Sequence, residues 1–219
     1  MLILLNINKA VQGAIDSKFR NAGQTCVCSN RLFVQAEIYD EFNLKFKEEL
    51  AKLKLGNGME AGVNIGPLID EKAINSVDNM VCEAVEKGAK VVSGGNKLEE
   101  CCTIFEPTIL SNVNSDMRVF KEEIFGPIAP VFKFETEEEV IEMANDTPFG
   151  LASYFYGNNN SQIWRVAEAL EYGIVGINTG LISTTVAPFG GIKESGNGRE
   201  GSKYGIEDYL EIKYLCMEV

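Results

Sequence analysis

The sequence contains no histidine at all. That excludes a Ser-His-Asp or Cys-His relay built from this chain, and it removes the commonest metal ligand. Cysteine is present, but Cys26-x-Cys28 and the adjacent Cys101-Cys102 do not form the paired Cys-x-x-Cys pattern of a zinc site, so no metal is expected. Positive charge is scarce: 20 Lys and Arg face 32 Asp and Glu, a net charge of −12. Such a balance argues against nucleic acid and against an anionic membrane as partners. Long apolar runs are missing too. Met1-Leu2-Ile3-Leu4-Leu5 is far too short to span a bilayer and lacks the basic leader and cleavage region of a signal peptide. It reads as a buried strand. Six cysteines in 219 residues do not make a disulfide scaffold. A reducing compartment follows, the cytoplasm first, with the mitochondrion left open.

What is present suits a globular protein. The composition, 45% hydrophobic and 24% charged, allows one large α/β domain or two small ones. Asn8 can cap a helix whose apolar side is Val11, Ala14, Ile15 and Phe19. Arg31 to Gln35 reads as a strand, and Ile38, Phe42, Phe46, Leu50 and Leu53 as a helix running to about Lys54. Asp70 is a plausible cap for a helix with Ile74, Val77, Val81 and Ala84 inward, ended by Gly88. Val91 to Ser93 is a strand, and Phe105 to Leu110 is another, placed at an edge by Pro107. After the apolar run Ile128 to Phe134, Thr136 and Glu139 predict a capping box. Leu151 to Tyr156 and Ile174 to Asn178 are strands on either side of a helix capped by Ser161. This alternation implies an α/β fold in three layers, a mostly parallel sheet with helices on both faces. The segment Tyr209 to Leu215 alternates like an edge strand and needs cover, from its own chain or from another.

The stretch Phe19-Arg20-Asn21-Ala22-Gly23-Gln24-Thr25-Cys26-Val27-Cys28-Ser29-Asn30 places a thiol where a helical pattern gives way to a strand. A free cysteine is commonly a small buried hydrophobe, and becomes a nucleophile where the local field favours its thiolate. Cys26 sits in a glycine-containing junction near Arg20, whereas Cys82 falls on the apolar face of a helix, so Cys26 is expected to be the more reactive. Cys26 and Cys28 could join in a strained, reversible disulfide if the backbone is bent. On an extended segment the two thiols would face opposite ways.

Phe-Arg-Asn-Ala-Gly-Gln-Thr-Cys resembles the nucleophile segment of the aldehyde dehydrogenase superfamily, in the form seen in succinate-semialdehyde dehydrogenases. Further motifs follow in the family's order: Glu123-Ile124-Phe125-Gly126-Pro127, Asn145 to Leu151, Pro188 to Gly196, and Gly198-Arg199-Glu200. The likeness runs from Lys9 to Cys216. It implies a catalytic thiol at Cys26 that adds to an aldehyde, with NAD or NADP as cofactor and Glu123 and Phe125 against its ribose and ring. Read without the likeness, those two are a solvated glutamate and a core phenylalanine. Arg20 and Ser183 match positions that bind a substrate carboxylate, and Phe189 matches the aromatic lining of the substrate tunnel. The alternatives are a helix-end arginine neutralising carbonyls and a core aromatic.

The resemblance also implies a division of the chain. Residues 1–205 correspond to a cysteine-bearing catalytic domain, and 206–219 to a strand exchanged within a homo-oligomer. The family's dinucleotide-binding domain and its Glu-Leu-Gly-Gly general base precede the region matched, and no Glu-Leu-Gly-Gly occurs here. The expectation is half of an oxidoreductase acting on a small aldehyde that carries a carboxylate. Its rivals are another aldehyde specificity and a catalytically silent association domain.

Overall fold

The computed structural model describes residues 7–98 and 103–219; the expected Met1–Leu5 strand and the Cys101-Cys102 pair lie outside them. The first helix, α1 (Ile7–Lys18), buries Ala10, Val11, Ala14 and Ile15. Asn8 is inside it and does not cap it: its side chain accepts from Lys45 Nζ at 2.8 Å. A strand β1 (Leu32–Gln35) leads into α2 (Tyr39–Leu50), which stops short of Lys54. Phe42 and Phe46 of α2 are fully buried, each stabilising by roughly 1.5–3 kcal/mol.

Next come α3 (Glu71–Glu86), β2 (Lys90–Ser93) and β3 (Thr108–Ser111). Asp70 caps α3 as expected, accepting from the Ala73 amide at 2.7 Å. A one-turn helix α4 (Arg118–Lys121) precedes β4 (Ile128–Phe134). The helix α5 (Glu137–Asn145) opens with both halves of the Thr136–Glu139 capping box. The remaining elements are β5 (Phe149–Gly150), β6 (Ala152–Phe155), α6 (Asn160–Ala169), β7 (Ile174–Ile177) and β8 (Ile192–Lys193). The cap of α6 is Asn159, not Ser161; its side chain accepts from the Gln162 amide at 3.1 Å.

The strands pair β1-β4-β3-β2 in a four-stranded sheet, with β6 beside β7 and β5 beside β8. Three of these pairings are parallel (β1-β4, β3-β4, β6-β7) and two, β2-β3 and β5-β8, antiparallel. Pro107 does not put β3 at an edge. It stands just before the strand, where its missing N–H breaks no ladder, and β3 runs inside between β4 and β2.

Alternation along β1 shows the layering. Leu32 and Val34 enter one core with α1, α2 and α3, while Phe33 enters a second with Phe120, Phe132, Phe134, Val140 and Val166. Adjacent residues therefore serve opposite faces of one sheet, each covered by helices. The fold is α/β with mostly parallel pairing, as expected. Within this single chain residues 206–219 hold a short turn, Glu207–Tyr209, and pair with no strand of the described residues. An extended segment needs a partner ladder to count as sheet, and none of the described residues supplies one. None of the described helices is long and apolar enough to cross a membrane.

Candidate active site

The thiol is aimed by a left-handed turn. After α1, Asn21, Ala22 and Gly23 have φ of 52°, 55° and 78°. Asn tolerates this region through local hydrogen bonds, and the Asn21 side chain donates to the Gln24 carbonyl at 3.0 Å. Ala22 has no such help and is strained by roughly 1–2 kcal/mol, offset by burial of its methyl in the main core. Gly23 is obligatory for a second reason. A Cβ there would collide with the carbonyl of Gly126, so the thiol segment and the Glu123–Pro127 loop touch backbone to backbone.

A tight turn follows, closed by the Cys28 amide donating to the Thr25 carbonyl at 2.9 Å. Cys26 and Val27 are its central residues. Val27 is buried and Cys26 exposed, so the side chain that anchors the turn is the valine and the one presented outward is the thiol. The segment is bent, not extended, and both thiols are free. Cys28 is half-buried, its Sγ donating to the Arg20 carbonyl at 3.8 Å. Cys82 is exposed, contrary to its expected place on an apolar face.

Three side chains absent from the sequence-level site hold this turn in place. The Tyr154 hydroxyl donates to the Val27 carbonyl at 2.7 Å, and burial pushes that hydroxyl well above the ordinary tyrosine range, keeping it a donor. Gln24 accepts from the Ile69 amide at 2.9 Å and donates to the Pro67 carbonyl at 3.3 Å. Asn30 donates to the Glu122 carbonyl at 2.8 Å and accepts from the Ile124 amide at 2.9 Å. Asn30 thereby grips the backbone on both sides of Glu123. Polar residues at such spacings read as loop chemistry in sequence, and only the fold shows the segments they join.

Cys26, Cys28, Glu123 and Phe125 line one cavity of about 380 Å³, together with Phe149 and Ser195. Phe125 is 45% exposed and holds φ 45°, an aromatic ring kept at the surface on a strained backbone. Such strain persists only where the surroundings impose it, and it is common at functional sites. Arg20, Ser183 and Phe189 are not among the residues lining this cavity. Ser183 is exposed, and Phe189 is half-buried in a backbone pair with Glu200. Arg20 is half-buried, and its guanidinium makes no hydrogen bond or ion pair among the described residues.

One lining residue was unforeseen. Lys18 is 1% exposed, and burial lowers it from 10.5 to about 8 against the opposing influence of Cys28 and Glu123. Its sequence signal is a lysine seven residues after Val11 and four after Ala14, on the helix face that goes inward.

A thiol presented on a tight turn beside a carboxylate and an exposed aromatic, in a three-layer α/β fold, defines a cysteine-dependent class of site. The aldehyde dehydrogenase family model matches residues 3–215, and the chain belongs to that family. It is 61% identical over 212 residues to the succinate-semialdehyde dehydrogenase [NADP(+)] of Escherichia coli, covering 97% of this chain and 44% of that protein. To the glutarate-semialdehyde dehydrogenase of Pseudomonas aeruginosa it is 63% identical, with the same coverage. The crystal structure of succinate-semialdehyde dehydrogenase from Burkholderia pseudomallei superposes with a TM-score of 0.98 at 54% identity, over 100% of this chain and 46% of that one. The chain thus spans less than half the length of the relatives it matches.

Proposed function

We propose that this chain is the cysteine-bearing part of an NAD(P)-dependent aldehyde dehydrogenase that oxidises succinate semialdehyde to succinate. The observation that carries the reading is the exposed Cys26 on a clamped turn, packed against the loop of Glu123 and Phe125. The Cys26 thiolate adds to the aldehyde carbon and forms a thiohemiacetal, with the turn's own N–H of Cys26 as a donor to the alkoxide. When bound, the nicotinamide cofactor supplies the hydride acceptor. Cys26 then carries the acyl group as a thioester until water releases the acid. Glu123 and Phe125, exposed at the cavity's edge, suit a ribose hydroxyl pair and a flat ring, so the residues present fit the cofactor. The relative from Escherichia coli is named for NADP(+).

Arg20 is our reader of the substrate carboxylate, with Ser183 as its companion and Phe189 as the tunnel wall. A half-buried guanidinium that makes no hydrogen bond or ion pair among the described residues supports this role better than carbonyl capping does. The likeness to a glutarate-semialdehyde dehydrogenase favours a second reading, an aldehyde one carbon longer with the same anionic end. We further propose that the protein works as a homo-oligomer through 206–219, with the dinucleotide-binding domain supplied from outside the described fold. No metal is assigned.

Limiting alkylation of the chain followed by peptide mass mapping tests the nucleophile. Cys26, Cys82 and Cys216 are all exposed, so access alone does not rank them. Preferential labelling at Cys26 is expected. Faster labelling at Cys82 or Cys216 would reject the reading and favour a silent association domain.

A further inference from the structure

A glycine inside a helix costs stability relative to alanine, and Gly13 stands buried in the middle of α1. Two neighbours require it. A Cβ on Gly13 would strike the Tyr156 hydroxyl, and a Cβ on Gly180 would run into the Gly13 carbonyl. Gly180 is buried and has no left-handed φ, so close approach alone demands glycine there. The backbone of a loop therefore rests directly on the backbone of α1.

That loop, residues 178–183, ends in Ser183 and is fastened at three points. At its start the Asn178 side chain donates to the Gly157 carbonyl at 2.7 Å and accepts from the Gly157 amide at 3.0 Å. In its middle Gly180 sits on Gly13. Towards its end Ile182 folds back over β7, where a Cβ on Gly176 would meet Ile182 Cγ2 and Tyr154 Cδ1, each at 2.8 Å. The Thr179 hydroxyl closes the loop on itself, donating to the Leu181 carbonyl at 3.0 Å.

Two of the three fastenings lead to the thiol segment. Helix α1 continues through Phe19, whose amide donates to the Ile15 carbonyl at 2.9 Å, into Arg20. Tyr154 holds the Val27 carbonyl in the turn that presents Cys26. Ser183 lies outside the lining of the thiol's cavity, yet its loop shares supports with both Arg20 and that turn. Arg31, the other arginine of the segment, is committed to the carbonyls of Met143, Ala144 and Asp146, which leaves Arg20 to meet an anion.

We propose that Gly180 is a positioning residue for substrate specificity. Seated on Gly13, it sets the span between Cys26 and the Arg20–Ser183 carboxylate reader, and so the length of the anionic aldehyde that fits. The inference rests on the proposed carboxylate reading and adds what fixes its distance. A rigid span discriminates by length, because the charged end must reach its partners while the aldehyde carbon stands at the sulfur.

The test uses the full 219-residue chain and two chloromethyl ketones, one on a succinyl and one on a glutaryl skeleton. Each is applied as the free carboxylate and as its uncharged methyl ester. Alkylation rates at Cys26 are resolved by peptide mass mapping and compared as ratios, so that a general loosening of the fold cancels. The parent should favour the succinyl acid over its ester by about tenfold, the size of a charge-assisted contact. Gly180→Ala lifts the loop from α1 and should remove most of that preference, together with the difference between the two acids. Ile182→Ala loosens the loop's other seat and should act in the same direction; it decides the matter if circular dichroism shows Gly180→Ala unfolded. Unchanged ratios in a folded variant overturn this inference alone. No acid preference in the parent, or one that survives Arg20→Ala, overturns the carboxylate reading and this inference with it, so the two failures are separable.

Discussion

Lys18 and Tyr154 show what single buried residues of the thiol's cavity contribute. The native state releases the Lys18 proton near pH 8, and the unfolded chain near 10.5. Unfolding therefore takes up a proton in that window, and stability contributed by Lys18 rises as pH climbs through it. The full rise is about 3 kcal/mol, and Lys18→Met should abolish it. Urea unfolding at pH 7.5 and pH 10 measures the difference; equal pH slopes in variant and parent would contradict it. Tyr154→Phe leaves the Val27 carbonyl without its donor and should cost about 1–3 kcal/mol in the same assay. A loss below the error of the measurement would show that water replaces the hydroxyl. Cys26, Glu123 and Phe125 were named from their motifs, and the structure places all three on the lining of one cavity. Lys18, Tyr154 and Asn30 were not, because a core lysine, a strand tyrosine and a loop asparagine acquire roles only through segments distant in sequence. Arg20, Ser183 and Phe189 were named from the same likeness, yet they lie outside the lining of the thiol's cavity.

At the scale of elements, the site depends on one backbone contact between the turn after α1 and the loop before β4. Gly23→Ala strains a left-handed residue and drives a methyl into the Gly126 carbonyl. The expected cost is about 2–4 kcal/mol, together with slower labelling of Cys26 as the turn lifts from the Glu123 loop. Thermal unfolding and the labelling rate test both; unchanged values would mean that the contact does not hold the site. Helix starts were readable wherever the capping side chain is the nearest suitable residue, as at Asp70 and Thr136. They failed at Asn8, drawn to Lys45, and near Ser161, where Asn159 provides the better acceptor. Pro107 misled for a related reason: one residue of displacement turns a ladder-breaker into a harmless strand entrance. The mostly parallel pairing followed from alternation, whereas the antiparallel β2-β3 pair depends on a chain reversal that no local pattern encodes.

For the molecule as a whole, the tail is the unfinished surface. Ile212, Tyr214 and Leu215 are each at least 80% exposed, and the described residues offer their backbone no ladder. Deleting 206–219 should shift sedimentation toward the monomer, while an unchanged oligomer would place association elsewhere. The fold class was legible because each layer has its own apolar face in sequence. The tail was expected as an edge strand, and a strand of the kind we propose would find its partner only in a second chain. The central claim is that Cys26 serves an aldehyde dehydrogenase whose remaining machinery lies outside this fold. Steady-state turnover of succinate semialdehyde with NAD and NADP tests it most directly, using this chain alone and mixed with a separately expressed dinucleotide-binding half from a relative. The account predicts no turnover by the chain alone, turnover in the mixture, and its loss in Cys26→Ala. Robust turnover by the chain alone, or turnover in the mixture that survives Cys26→Ala, would contradict it.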